Sequence, residues 1–260
     1  WVVAPGMDIN EAIADASEGG EVLLLAGTHA LTQQVALDKS LTLRGVDEAS
    51  TVLSCTELTD SYGVAVQAAS CAVQDLTIDG SGVAVFGLHV QPGTSNIALS
   101  GLTATNCVQN GISFTGTTNA EGGNTVTDVT VANNGLTGLG FGASQYVTVS
   151  DVTGSNNAGG DIGIYIGDYT AQRNDHLVFE EPLNIASINY TIEENDPAGF
   201  EVVPSTTDAT DELYAADANV VVPDGWNRVV VADVNAVNPP AASAFTVYAI
   251  TKPALFSALA

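Results

Sequence analysis

The chain has 260 residues, enough for one large domain or one domain with an appendage. Its formal charge of -25, from 30 acidic against 5 basic residues, argues against nucleic acid and against unaided binding to anionic lipid or a polyanionic sugar, all of which call for Lys and Arg. No apolar run approaches the length of a membrane span. The acidic, lysine-poor composition suits a secreted or cell-surface protein in saline or calcium-containing medium. No signal peptide is in view, so Trp1 is expected to follow a processed leader.

Taken in order, residues Asp8 to Ser17 read as a short amphipathic helix. Ile9, Ala12, Ile13 and Ala16 share one face at i, i+3, i+4 and i+7, and Gly19-Gly20 ends it. A strand and turn follow over Glu21–Thr28, and another strand over Ser40–Gly45. From Gly63 the chain repeats itself. Five segments carry a glycine followed by alternating apolar residues, beginning at Gly63, Gly87, Gly111, Gly138 and Gly163, with spacings of 24, 24, 27 and 25 residues. A second alternating run follows each of the first four: Val73–Ile78, Ile97–Thr103, Val126–Val131 and Val147–Thr153. A unit this short cannot bury its apolar face alone. It must stack on its neighbours, which predicts a solenoid of parallel strands.

The order of helix, Val22-Leu-Leu-Leu-Ala-Gly-Thr28, Lys39-Ser-Leu-Thr-Leu-Arg-Gly45 and then coils of about 24 residues resembles the start of proteins of the pectin-lyase-like superfamily. The resemblance spans residues 8 to 200 or so. It implies an all-β, right-handed parallel β-helix with the helix as N-terminal cap over the open strand edge of the first coil. For function it implies little, since that superfamily includes lyases, hydrolases, epimerases, adhesins and inert surface proteins.

After Ile166 the pattern loosens. Asp168–His176 reads as a loop; Leu177–Phe179, Ile185–Ile192 and Gly199–Val203 supply one or two further coils. Residues 1–203 are therefore assigned to the β-helix and 204–260 to a C-terminal capping and assembly segment. There, Asn219–Val222, Arg228–Ala232 and Ala244–Ile250 are separated by turns at Pro223-Asp-Gly225 and Asn238-Pro-Pro240, which suggests antiparallel strands. The apolar tail Ala254–Ala260 is expected to dock on its own domain or on a neighbouring subunit.

Stacking turns positions into rows. In the first strand of each coil the expected inward rows are Val64/Leu88/Ile112/Leu139/Ile164 and Val66/Val90/Phe114/Phe141/Ile166. The outward row between them is Ala65/His89/Ser113/Gly140/Tyr165, and the next is Gln67/Gln91/Thr115/Gly142/Gly167. This face carries no carboxylate pair for glycoside hydrolysis and no cation for lyase chemistry on a uronic acid. Lone His89 reads as a surface histidine. The second strand gives a row Asp75/Gly101/Asp128/Asp151 and a row Thr77/Thr103/Thr130/Thr153. Asp75, Asp128 and Asp151 are candidate calcium ligands, because hard cations take clustered oxygens; turn chemistry explains them more simply. The threonines read as β-branched filler, with an ice- or sugar-binding strip as the rival reading. Asn106, Asn110, Asn133, Asn134, Asn156 and Asn157 read as amide ladders in the turns.

Reactive groups concentrate in one place. Asp161, Tyr165, Asp168, Arg173 and His176, with Tyr169 and Asp175, fall within 16 residues. In an enzyme, Tyr165 or His176 would be the base, Arg173 the carboxylate clamp, and Asp161 or Asp168 the partner. Cys55, Cys71 and Cys107 match no metal spacing; Cys71 reads as a buried thiol, with a Cys55–Cys71 bridge as the alternative. Asn189-Tyr190-Thr191 has the form of an N-glycosylation sequon. The reading preferred from sequence is a non-catalytic extracellular structural or adhesive protein, self-associating through its ends and the Ala254–Ala260 tail as a surface-layer or filament subunit. The alternative is a polysaccharide-acting enzyme or a carbohydrate-binding module. Nothing in the sequence calls for a cofactor beyond that candidate calcium.

Overall fold

A computed structural model describes residues 1–117, 123–142, 144–166, 175–185, 188–192, 227–231 and 247–251, with side chains through residue 163 and at 184 and 185. The coils of a parallel β-helix stack along one axis, as the 24-residue repeat requires. One sheet, B, stacks β4 (Val35–Leu37), β7 (Tyr62–Val66), β9 (Phe86–Val90), β11 (Ile112–Thr115), β13 (Thr137–Gly142), β15 (Gly160–Ile166) and β17 (Ile188–Ile192). The other, A, begins with β1 (Val2–Val3), β2 (Gly20–Leu24) and β5 (Leu41–Gly45). It continues through β8 (Ala72–Asp79), β10 (Ala98–Thr105), β12 (Asn124–Ala132), β14 (Gln145–Ser155) and β16 (Asp175–Asn184).

Sheet A is folded along its length. The first half of β8 pairs with β5 (Thr42↔Ala72), while its second half pairs with β6 (Thr51–Ser54; Val52↔Thr77), which in turn pairs with β3 (Gly27–Ala30). The two short strands of an early coil thus become one bent strand from β8 onward. The bend falls on Asp75, Gly101, Asp128 and Asp151, whose φ values are 55°, 59°, 53° and 50°. Asp tolerates this left-handed region better than most residues, and Gly enters it freely. The aspartate row is therefore the corner of each coil, as the turn reading expected.

Register confirms the rows Val64/Leu88/Ile112/Leu139 and Thr77/Thr103/Thr130/Thr153. The last sheet-B row is corrected. Leu139 pairs with Ile162, not Ile164, and Gly140 with Gly163, not Tyr165, which instead opposes Gly142. The repeat glycine marks a tight inward slot: a Cβ at Gly111 would lie 2.7 Å from Asn134 Nδ2 and 2.9 Å from Gly138 O. Gly138 holds the slot in the next coil, and in the coil after that Asp161, not Gly163, takes it. Its side chain fills the space left on the facing strand, where Gly154 stands in register with Val131. Aligning by glycine alone shifted that coil by two residues.

Inside, Leu, Ile and Val rows pack from coil to coil, joined by the stacked Phe114 and Phe141 rings, 5.5 Å apart. The N-terminal end is closed by α1 (Ile9–Asp15), N-capped by Asp8, whose Oδ1 accepts from Asn10 N and Glu11 N. Ile9, Ala12 and Ile13 are buried against the first coil, each isoleucine contributing roughly 1.5–3 kcal/mol. Asn10 treats the edge of β4 as a missing strand would: Oδ1 accepts from Ala36 N at 3.0 Å, and Nδ2 donates to Gln34 O at 2.9 Å. Lys39 Nζ donates to the helix-end carbonyls of Ala14 and Ala16.

Toward the other end, β19 (Val247–Thr251) joins β16 in parallel, and β18 (Asn227–Val231) pairs with β19 antiparallel. The expected antiparallel pair is present, added to sheet A. The segments Gly199–Val203, Pro204–Asp217 and Asn219–Val222 and the tail Ala254–Ala260 lie outside the described residues.

Candidate functional site

Sheet B presents the outward row Ala65/His89/Ser113/Gly140/Gly163. Pointing outward, it should be open to solvent, yet Ala65 is 0%, His89 9% and Ser113 5% exposed. Side chains at the start of the same strands lean over part of it. The Tyr62 ring packs edge-on to His89 of the next coil at 4.6 Å, and Phe86, stacked on Tyr62 at 5.3 Å, meets the same imidazole at 5.2 Å. A Cβ on Gly140 would lie 2.6 Å from Asn110 Nδ2, and one on Gly163 would strike the Thr137 methyl. Asn110 is held there by Thr137, whose N–H and hydroxyl both donate to Asn110 Oδ1, at 3.2 and 2.7 Å. Residues at the start of the sheet-B strands thus lean one coil forward, over His89, Gly140 and Gly163.

His89 is therefore no surface histidine. Its Nε2 is 3.2 Å from Thr115 Oγ1, and its Nδ1 is buried without a partner. Burial pushes its pKa down to about 4, because a charged imidazolium among two aromatic rings would lose its hydration. The ring is a neutral wedge. The signal for this cluster was legible: Tyr62 and Phe86 each precede the repeat glycine in successive coils.

The aspartate row does not gather its oxygens on one point. Asp75 and Asp128 are separated by a coil whose corner is Gly101, and among the described residues no three His, Cys, Asp or Glu side chains form a metal-holding group. The threonine row is partly covered from outside: Thr77 Oγ1 donates to Glu48 O at 2.9 Å, and Thr103 Oγ1 donates to the Glu48 carboxylate. On the neighbouring face, Gln74 Nε2 donates to Ser100 Oγ, and Ser150 Oγ to Thr127 Oγ1.

The five candidate catalytic residues are not gathered into one described site. Asp161 and Tyr165 lie on β15 in sheet B, His176 on β16 in sheet A, and Asp168 and Arg173 outside the described residues. Asp161 is 3% exposed and turned inward. It ends an amide ladder: Cys107 N–H donates to Asn134 Oδ1, Asn134 Nδ2 to Asn157 Oδ1 at 2.8 Å, and Asn157 Nδ2 to Asp161 Oδ1 at 2.8 Å. A parallel outer ladder joins Asn156 to Asn133 and Asn106 to Asp79. The turn asparagines are structural, as their recurrence implied.

Two of the five cations have defined contacts: Lys39 on the helix end, and Arg44 in an exposed pair with Glu21 at 2.9 Å, which lowers the Glu21 pKa. Such a surface pair stabilises little. Cys55, Cys71 and Cys107 are free and buried, with no Cys55–Cys71 bridge. Burial raises the thiols of Cys55 and Cys107 to about 12, far from thiolate reactivity. Asn189 of the sequon stands within β17, opposite Gly163. No helix among the described residues is long and apolar enough to cross a membrane.

These coils define a parallel β-helix. A solved structure of an alginate lyase from Paenibacillus sp. str. FPU-7 is similar, with a TM-score of 0.51, 14% sequence identity and 74% of each chain covered. At that identity the likeness speaks for the fold alone. No family model and no curated protein matches the sequence.

Proposed function

We propose that this chain is a non-catalytic structural or adhesive solenoid, secreted or carried on a cell surface, which assembles end to end with further copies. The single observation that carries the reading is the roofed outward row of sheet B. A sheet that grips or turns over a polysaccharide must expose its floor side chains, and here Ala65, His89 and Ser113 are buried, His89 against Tyr62 and Phe86 of the same sheet. The neutral His89 and the committed Lys39 and Arg44 support it, since lyase chemistry on a uronic acid calls for a base and a cation together. Ends that fit head to tail without closing a ring give filaments. The test is sedimentation and electron microscopy of concentrated protein with and without calcium. Linear polymers support the proposal; a strict monomer under every condition refutes it.

A second reading, a polysaccharide-acting enzyme, is favoured by the likeness to an alginate lyase. It would draw on Tyr165, Asp168, Arg173 and His176 of the five candidates, Asp161 being buried. A panel of polysaccharides including alginate, read for unsaturated products and new reducing ends, decides between them. Turnover abolished by Arg173→Ala would establish the enzyme and overturn the structural reading.

A further inference from the structure

At three places along the outward row of sheet B, the residue three positions ahead of a row member leans over the next coil. Tyr62 packs on His89, Asn110 fills the space that a side chain at Gly140 would need, and Thr137 does the same at Gly163. Register carries the series one coil further, because Gly160 pairs with Thr137 and Asn189 with Gly163. Gly160 therefore stands to Asn189 as Thr137 stands to Gly163, and it has no side chain to lean. Its φ of 107° lies in a region nearly closed to residues that carry a Cβ, so the gap is set by the backbone. Asn189 thus holds a row position that the equivalent residue of the preceding coil leaves uncovered.

That asparagine opens Asn189-Tyr190-Thr191, the single Asn-X-Ser/Thr tripeptide with X other than Pro in the chain. In a strand, residues two apart share a face, so Asn189 and Thr191 stand together on the outward side of β17, at the register positions of Gly163 and Tyr165. An N-linked glycan is bulky and hydrated, and it needs a surface position with room above it. The preceding members of the row fail that demand. His89 and Ser113 are buried, and a Cβ at Gly140 or Gly163 already meets the coil before. The acceptor sequence and the missing cover fall on the same residue.

We propose that Asn189 is an N-glycosylation site, carrying an oligosaccharide on the lateral face of sheet B. In the transfer, the Asn189 amide nitrogen bonds to the anomeric carbon of a polyprenyl-phosphate-linked oligosaccharide. The bond from that carbon to the phosphate oxygen breaks, the lipid phosphate leaves with the electron pair, and the amide gives up one proton. No oxidant or reductant enters. Such a donor is met during export, so the inference rests on the secreted or surface part of the reading above and is independent of end-to-end assembly. A lateral glycan leaves both ends of the solenoid free and keeps neighbouring rods from packing sheet to sheet.

The test is glycopeptide mass spectrometry of the full chain isolated from its native source, with fractionation of cells, cell envelope and medium to place the protein. The peptide containing Asn189 should carry an oligosaccharide mass in most chains. Asn189→Gln and Thr191→Val should each lose that mass, and Thr191→Ser should keep it. A protein found outside the cell with Asn189 bare in most chains overturns the inference and leaves secretion standing. A protein found only inside the cell overturns secretion and the inference with it. A glycan that persists in both Asn189→Gln and Thr191→Val lies elsewhere and also overturns the assignment. Should Asn189→Gln fail to fold, the contrast of Thr191→Ser with Thr191→Val decides alone.

Discussion

Replacing Asn134 with alanine tests whether the inner amide ladder holds the coils together. Asn134 is 1% exposed; its Oδ1 accepts from Cys107 N–H at 3.1 Å, and its Nδ2 donates to Ala104 O at 3.2 Å and to Asn157 Oδ1 at 2.8 Å. Alanine strands the Cys107 N–H in a dry interior, at about 1–3 kcal/mol, and deletes two further bonds at about 0.5–1.5 kcal/mol each. The expected loss is about 3 kcal/mol, or roughly 6–12 °C in Tm for a chain of this size. The control is Asn156→Gly in the outer ladder. Asn156 is exposed at φ 56°, and its amide makes a 3.3 Å bond to Asn133, so glycine keeps the backbone and should shift stability by no more than about 0.5 kcal/mol. Urea unfolding followed by far-UV circular dichroism reads both. If Asn134→Ala stays within about 0.5 kcal/mol of the parent, or the two variants cost the same, the ladder is ornament and the reasoning fails.

Further outcomes follow from the same geometry. With a folded pKa of about 4 against an ordinary 6.5, His89 stays neutral in the fold while the unfolded chain takes up a proton. The associated stability, about 3 kcal/mol at full extent, is present above pH 6.5 and drains away as the pH falls toward 4. His89→Gln should flatten the Tm profile across that window, and an unchanged slope would contradict the assignment. Gly111→Ala drives a Cβ to 2.7 Å from Asn134 Nδ2 and should cost about 1–3 kcal/mol by thermal unfolding. At the left-handed corner, Asp128→Val should cost at least about 1–2 kcal/mol, whereas Asp128→Asn should be mild. Calcium chloride should then move the Tm of parent and Asp128→Asn alike; a calcium-dependent gap would restore the row as a cation site. Asn10→Ala bares Ala36 N–H and Gln34 C=O on the edge of β4, and size-exclusion chromatography should show more edge-to-edge association than in the parent.

How much of this was legible beforehand differs by level. Alternation, glycine spacing and turn asparagines are local patterns repeated along the chain, and they were enough for the solenoid, its cap helix, the bent-strand corners and most of the inward rows. Candidate chemistry was read from proximity in sequence, which does not say where strands carry the residues: Asp161 and His176 are 15 residues apart and stand in different sheets, while Asp168 and Arg173 lie outside the described residues. The Tyr62–Phe86–His89 cluster is the converse, its members brought together by stacking across a coil boundary.

What the amino-acid order settled alone is the repeat, because period-2 apolar runs of this length have no stable home except on one another. What only the folded chain decided is which way each side chain leans and what then covers it. Gly154 made room for Asp161, so one coil slipped two residues from the glycine pattern, and Tyr62, Asn110 and Thr137 bent forward to roof a face that composition alone would have left open. Those outcomes depend on volumes meeting between coils 23 to 27 residues apart, and no local pattern encodes a volume contributed by the neighbouring coil.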